Sequence, residues 1–146
     1  MKQRITVLLV AVAAMLGATV LTAPSAGAAT TMLDCSYRDS GEFLYREPAT
    51  YRISSNSAGT AKAIQDVQWS NYTFPVKFVH VEQGYMSRGD FVMRNKLAVW
   101  DSGRRSGSRA TGFPRISRTN NTRVGYIRLV QQSPDDWIDC ETYFNF

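Results

Sequence analysis

The sequence predicts an all-β chain, a single antiparallel β-sandwich or small barrel of about eight to ten short strands whose termini are joined by one disulfide. Three observations predict it. Short runs of β-branched and aromatic residues recur at roughly 8–12-residue spacing, separated by Gly, Asn, Asp and Ser clusters. Seven Tyr, seven Phe and three Trp supply enough apolar surface for a core. The two cysteines, Cys35 and Cys140, lie near the opposite ends of the mature chain.

Residues 1–28 stand apart from that domain. Met1-Lys2-Gln3-Arg4 is a short basic segment, and Ile5 to Leu21 is an almost unbroken apolar run. Pro24, Ser25 and the small residues Ala26-Gly27-Ala28-Ala29 follow, an A-x-A cleavage pattern. The segment reads as a secretory signal peptide, and the protein is expected to be secreted, extracellular and free of the membrane after cleavage. Cutting after Ala28 leaves 146 − 28 = 118 residues, 29–146, a single β domain. An exported chain with two cysteines pairs them, and Cys35–Cys140 closes a loop of 140 − 35 = 105 residues.

The strands are read in chain order. Leu33 to Tyr37, Phe43 to Arg46 and Tyr51 to Ser54 are short β-rich runs, with turns at Asp39-Ser40-Gly41 and from Ser54 to Gly59. A turn or two of helix is expected around Ala58 to Asp66. Val67 to Thr73 and Val76 to Glu82 are strands; in the second, Phe78, His80 and Glu82 share a face. Arg88-Gly89-Asp90 reads as a turn before the strand at Phe91, with Gly89 supplying positive φ. Phe91 to Arg94 and Leu97 to Trp100 are two strands, or one with a bulge at Asn95-Lys96. Ile116 to Thr119 and Thr122 to Val130 flank Asn120-Asn121, a two-residue hairpin signal. Trp137 to Phe146 alternates, with Ile138, Cys140, Thr142, Phe144 and Phe146 on one face and Asp139, Glu141 and Asn145 on the other.

Composition excludes most chemistry. A structural zinc site needs four N or S ligands, and this chain has one His and two paired Cys. Asp135-Asp136 with Asp139 lacks the glycine turn and distal Glu of a calcium loop. No G-x-S-x-G elbow surrounds any serine, and His80 lies inside a strand. Glu42, Glu47, Glu82 and Glu141 are the glutamates available to a two-carboxylate glycosidase, but 118 residues leave little room for a cleft beside a core. The expected protein is not an enzyme and requires no cofactor and no metal. Asn71-Tyr72-Thr73 and Asn120-Asn121-Thr122 match the glycosylation sequon.

Charge is unevenly placed. Segment 29–101 holds eight basic and eight acidic residues, segment 102–134 seven Arg and no acid, and segment 135–146 four acids and no base. The mature net charge is 15 − 12 = +3, with twelve Arg against three Lys. Ser102 to Arg109 contains no apolar residue and is expected to be a mobile, solvated cationic loop. Its Arg104, Arg105 and Arg109 are candidates for docking on an acidic protein or an anionic cell-wall polymer. Nucleic acid is not the expected partner of an exported chain of this low net charge. Thr30, Thr31, Met32 and Leu33, at the mature N-terminus, are candidates for adding to a partner's sheet edge. Trp69, Tyr72, Trp100 and Trp137 are candidates for stacking on sugars.

The Ala-rich leader ending Ala26-Gly27-Ala28, the excess of Arg over Lys and one Cys near each end give the chain a general plan. That plan resembles small exported proteins of filamentous actinobacteria. Among them it is similar in size, export and lack of catalytic residues to the adaptor subunit of umbrella-shaped toxin particles, which joins a lectin subunit to a large stalk protein. The likeness lies in the whole mature chain and in no motif, so no site residue transfers with it. It implies a secreted, non-enzymatic protein-binding module, an adaptor in an extracellular antagonistic toxin complex whose partners are other secreted proteins. An inhibitor of an extracellular enzyme such as a protease is the second expectation, and a carbohydrate- or cell-wall-binding module the third.

Overall fold

A computed structural model describes residues 27–118 and 122–146. Nine strands form one antiparallel sheet: β1 (Gly27–Tyr37), β2 (Phe43–Ser55), β3 (Ala61–Trp69), β4 (Val76–Ser87), β5 (Asp90–Arg104), β6 (Gly107–Ala110), β7 (Ile116–Ser117), β8 (Arg123–Gln132) and β9 (Trp137–Asn145). The strand order is β5-β4-β8-β9-β1-β2-β3-β6, with β7 paired to β3. The sheet curls into a nearly closed barrel. Its two end strands, β5 and β6, are consecutive in the chain, joined through Arg105-Ser106, so a seam runs between them.

Inward positions fill the barrel. Leu33 and Cys35 of β1, Ile64 and Val67 of β3, Val79 and Val81 of β4, Ile127 and Leu129 of β8, and Ile138 and Cys140 of β9 are all fully buried. The period-two alternation anticipated for the last strand is observed, with Asp139 facing outward between Ile138 and Cys140. Two glutamines join this apolar core. Gln83 accepts the Ile64 N–H at 2.9 Å and donates to Asn95 Oδ1 at 2.9 Å and to the Pro114 carbonyl at 2.7 Å. Gln131 accepts the Phe74 N–H at 2.8 Å. The Gln83–Ile64 bond pins β4 to β3, strands that share no ladder bonds.

The disulfide links Cys35 of β1 to Cys140 of β9, which are cross-strand partners. It therefore joins the first and last strands side by side rather than the chain termini themselves.

Several sequence-based expectations are corrected. The strands are not all short; β2 has 13 residues and β5 has 15. Phe43–Arg46 and Tyr51–Ser54 merge into β2 because Pro48 sits where β2 has one paired neighbour, β3 pairing only Thr50–Ser55. The helix expected around Ala58–Asp66 is absent: Ala61–Trp69 is β3, and pairing with β2 overrides the helix preference of its alanines. The strand expected over Val67–Thr73 ends at Trp69. Ile116–Ser117 pairs with Ala61 and Lys62 of β3 and not with β8. The Asn120-Asn121 turn lies outside the described residues. Residues 1–26 of the expected signal peptide also lie outside them, and Gly27 and Ala28 form the start of β1. The bulge on β5 falls at Arg94, one residue before the expected place, since Gln83 opposes Asn95 and Gly84 opposes Met93.

At that bulge the two strands meet too closely for a side chain. A Cβ on Gly84 would stand 2.1 Å from the Val92 main-chain oxygen and 2.9 Å from the Phe91 ring. Gly84→Ala is expected to lower stability by about 2–3 kcal/mol, read from the urea midpoint. A midpoint equal to that of the parent protein contradicts this packing. The β4–β5 hairpin closes with Arg88 at φ 53° and Gly89 at φ 83°, the positive-φ turn expected there.

Candidate functional site

The outward faces of β5, β4, β8 and β9 bring seven rings into one continuous ladder: Trp137, Trp100, Phe78, His80, Tyr126, Tyr143 and Phe91. Neighbouring centroids are 6.2 Å apart for Trp137–Trp100, 5.1 Å for Trp100–Phe78, 6.5 Å for Phe78–His80 and 5.3 Å for His80–Tyr126. The ladder ends with Tyr126–Tyr143 at 4.7 Å and Tyr143–Phe91 at 6.1 Å. Strand pairing explains the alignment. Trp100 opposes Phe78, Glu82 opposes Tyr126, and Tyr126 opposes Tyr143, so alternate outward residues fall in register across four strands. Gly84 lets the Phe91 ring lie over β4. An outer face of a small barrel is ordinarily polar; this one leaves Trp100 69% and Tyr143 62% exposed.

Charged groups frame the rings. At the Trp end, Arg38, Phe78, Trp100, Arg128, Val130 and Trp137 line a shallow cleft of about 160 Å3. The Arg38 guanidinium lies 5.5 Å from the Trp137 ring and is held by Asp139 at 2.9 Å; that hydrogen bond is the main cause of its raised pKa. Arg128 lies 5.9 Å from the Phe78 ring, with its Nε 3.6 Å from Asp139. At the other end Tyr126 donates to Glu141 at 2.5 Å. Burial first, and then that hydrogen bond and charge, push the Tyr126 phenol well up. His80 Nε2 meets Glu82 at 2.9 Å. Burial lowers the His80 pKa against the pull of Glu82, with Lys96 and Arg128 adding to the lowering. The imidazole packs in the ladder between Phe78 and Tyr126. Among the described residues its one side-chain hydrogen bond goes to Glu82. Among them also, no group of three or more His, Cys, Asp or Glu is arranged to hold a metal ion.

The residues singled out in the sequence fall differently. The Arg segment is not a mobile loop. Ser102–Arg104 ends β5, Gly107–Arg109 belongs to β6, and only Arg105-Ser106 turns between them. Arg104 and Arg109 each donate to Asp101 at 2.9 Å, and the Asp101 side chain is 0% exposed. The Arg105 Nε donates to the Tyr72 carbonyl at 2.6 Å. Of the three, Arg109 closes the seam, reaching from β6 to Asp101 on β5. No apolar residue is needed there because ion pairs and ladder bonds hold the edge.

Thr30, Thr31, Met32 and Leu33 are not a free arm. They lie in β1 and pair with β2 through Thr50, Ala49, Pro48 and Glu47. Leu33 is a core residue at 0% exposure, which removes it from any docking surface. β9 pairs only Asp34–Tyr37, so among the described residues the stretch before Asp34 keeps one unpaired edge carrying exposed Thr30 and Met32. Trp69 and Tyr72 are likewise core, whereas Trp100 and Trp137 converge on the surface. Phe91, Tyr126 and Tyr143 were not singled out by sequence reasoning; their outward placement is readable strand by strand, but their adjacency needs the strand order.

The chain matches no family model, no curated protein and no solved structure.

Proposed function

We propose that this chain is a secreted, non-enzymatic binding module whose outer β5-β4-β8-β9 face docks another protein. The ring ladder carries this reading. Exposed Trp and Tyr beside Arg, with a charged rim, is the anatomy of interface hot spots. Its relief favours a protein over a sugar. Trp100 is tilted 66° to Phe78 and 62° to Trp137, so these rings form ridges and notches rather than a flat shelf for a pyranose. An adaptor needs two contacts, and the unpaired edge of β1 at Thr30 and Met32 offers the second, by strand addition. An adaptor in an extracellular toxin complex is the form of this function that the sequence plan favours.

The test is an affinity pull-down from the native culture supernatant, parent protein against Trp100→Ala, read by mass spectrometry and followed by titration with the captured partner. The expected result is a stoichiometric protein partner whose affinity falls at least about thirtyfold in the variant, the loss typical of a hot-spot residue. The exposed position predicts an unchanged fold. Equal capture by both proteins overturns the aromatic face as the docking surface. Sedimentation with purified cell walls, lost in Trp100→Ala, replaces the protein partner with a polysaccharide.

A further inference from the structure

A second cleft, of about 350 Å3, opens beside the seam between the bulged part of the β4–β5 hairpin and β7. Arg94, Arg115 and Arg118 line it together with Tyr85, Asn95 and Ser117, and no carboxylate does. Five arginines elsewhere differ in this respect. Arg38, Arg46, Arg52, Arg104 and Arg109 each hold an aspartate. Among the described residues Arg94, Arg115 and Arg118 hold none, and the undescribed segment 119–121 is Thr-Asn-Asn, without an acid. Two of the three are nonetheless fixed. Arg118 stacks on the Tyr85 ring at 3.5 Å, and Arg115 Nε donates to Ser54 Oγ at 3.4 Å, which leaves the terminal guanidinium nitrogens available. Three like charges around one concavity repel one another; an occupant of opposite charge removes that cost. Guanidinium forks match tetrahedral oxyanions, and three of them match a group carrying more than one negative charge.

We propose that this seam cleft binds a phosphoryl group, with Arg94, Arg115 and Arg118 as its ligands. The group belongs either to a small phosphate ester or to a phosphodiester or polyphosphate chain running along the seam. This inference is independent of the aromatic face.

The experiment is isothermal titration of the full mature protein with sodium pyrophosphate, linear polyphosphate and hexaglutamate, repeated with Arg94→Gln, Arg115→Gln and Arg46→Gln. Arg46 is exposed and paired with Asp34 in the β1–β2 pair, and it serves as the charge-matched control. Pyrophosphate is expected to bind, with its Kd rising at least about tenfold in Arg94→Gln and Arg115→Gln and unchanged in Arg46→Gln. Binding of polyphosphate alone, with the same variant pattern, identifies the polymeric source. Absence of binding by both phosphates overturns the proposal. An equal loss in Arg46→Gln also overturns it, reducing the effect to net charge. Hexaglutamate binding at least as tightly as the phosphates overturns it in favour of an acidic protein. Circular dichroism of the two cleft variants separates a lost ligand from a lost fold.

Discussion

Asp101→Ala opens the barrel seam and is expected to lower stability by about 2–3 kcal/mol, a fall in Tm of roughly 10 °C. The carboxylate is fully covered and accepts charge-assisted hydrogen bonds from Arg104 on its own strand and Arg109 on β6. Removing it deletes the cross-seam ion pair and leaves two guanidiniums facing each other. The loss is smaller than for a wholly buried triad because both arginines reach solvent. The same group sets an acid limit. Its hydrogen bond to Arg104 above all, with that to Arg109, holds the Asp101 carboxyl below its ordinary value of 3.8, against the opposing effect of burial. A depressed pKa means that the unfolded chain binds the proton more tightly. The stabilisation is therefore present above about pH 4 and is lost as pH falls through the folded value. Asp101→Asn is expected to flatten that acid limb in thermal melts between about pH 4 and pH 2. A variant as stable as the parent protein, with the same acid limb, shows that the seam is held by other contacts.

The disulfide carries the second large effect. Cys35 and Cys140 bridge strands 105 residues apart in sequence, and both are fully buried. Chain-entropy arithmetic assigns about 4.7 kcal/mol to a loop of roughly this length, against a total of about 5–15 kcal/mol for an ordinary domain. The double variant Cys35→Ala/Cys140→Ala is therefore expected to lose about 4 kcal/mol, with a denaturant midpoint reduced by a third or more. In the parent protein the sulfurs should resist reductant until the barrel unfolds, because no solvent reaches them. Rapid reduction under native conditions, or an unchanged midpoint in the double variant, contradicts this.

Local pattern revealed much of this architecture and failed at identifiable places. Alternation exposed β9 and β4 because one face of each is core and the other is not. It failed at Ala58–Asp66, where Ala, Lys and Gln favour helix locally and only the distant partner β2 imposes a strand. It failed again at Ser102–Arg109, where two strand ends contain no apolar residue; their ties are ion pairs and a Trp69 Nε1–H bond to the Arg104 carbonyl at 2.9 Å, invisible to a hydropathy pattern. The candidate site was half legible. Phe78 and His80 are outward on one strand, as the spacing requires. That Trp100 and Trp137, 37 positions apart, converge depends on the order β5-β4-β8-β9, which no local signal encodes.

The strand order also bears on how the barrel is reached. Its two path ends, β5 and β6, are consecutive in sequence, whereas the adjoining pair β1 and β9 comes from opposite ends of the domain. The meeting of β9 with β1 is therefore a pairing of high contact order and carries a large loop-closure cost, while the gap between β5 and β6 is spanned by near-local chain. By the same asymmetry, the lowest-energy native excursion is a zipper-like parting along that gap, with the β1–β9 junction as its hinge.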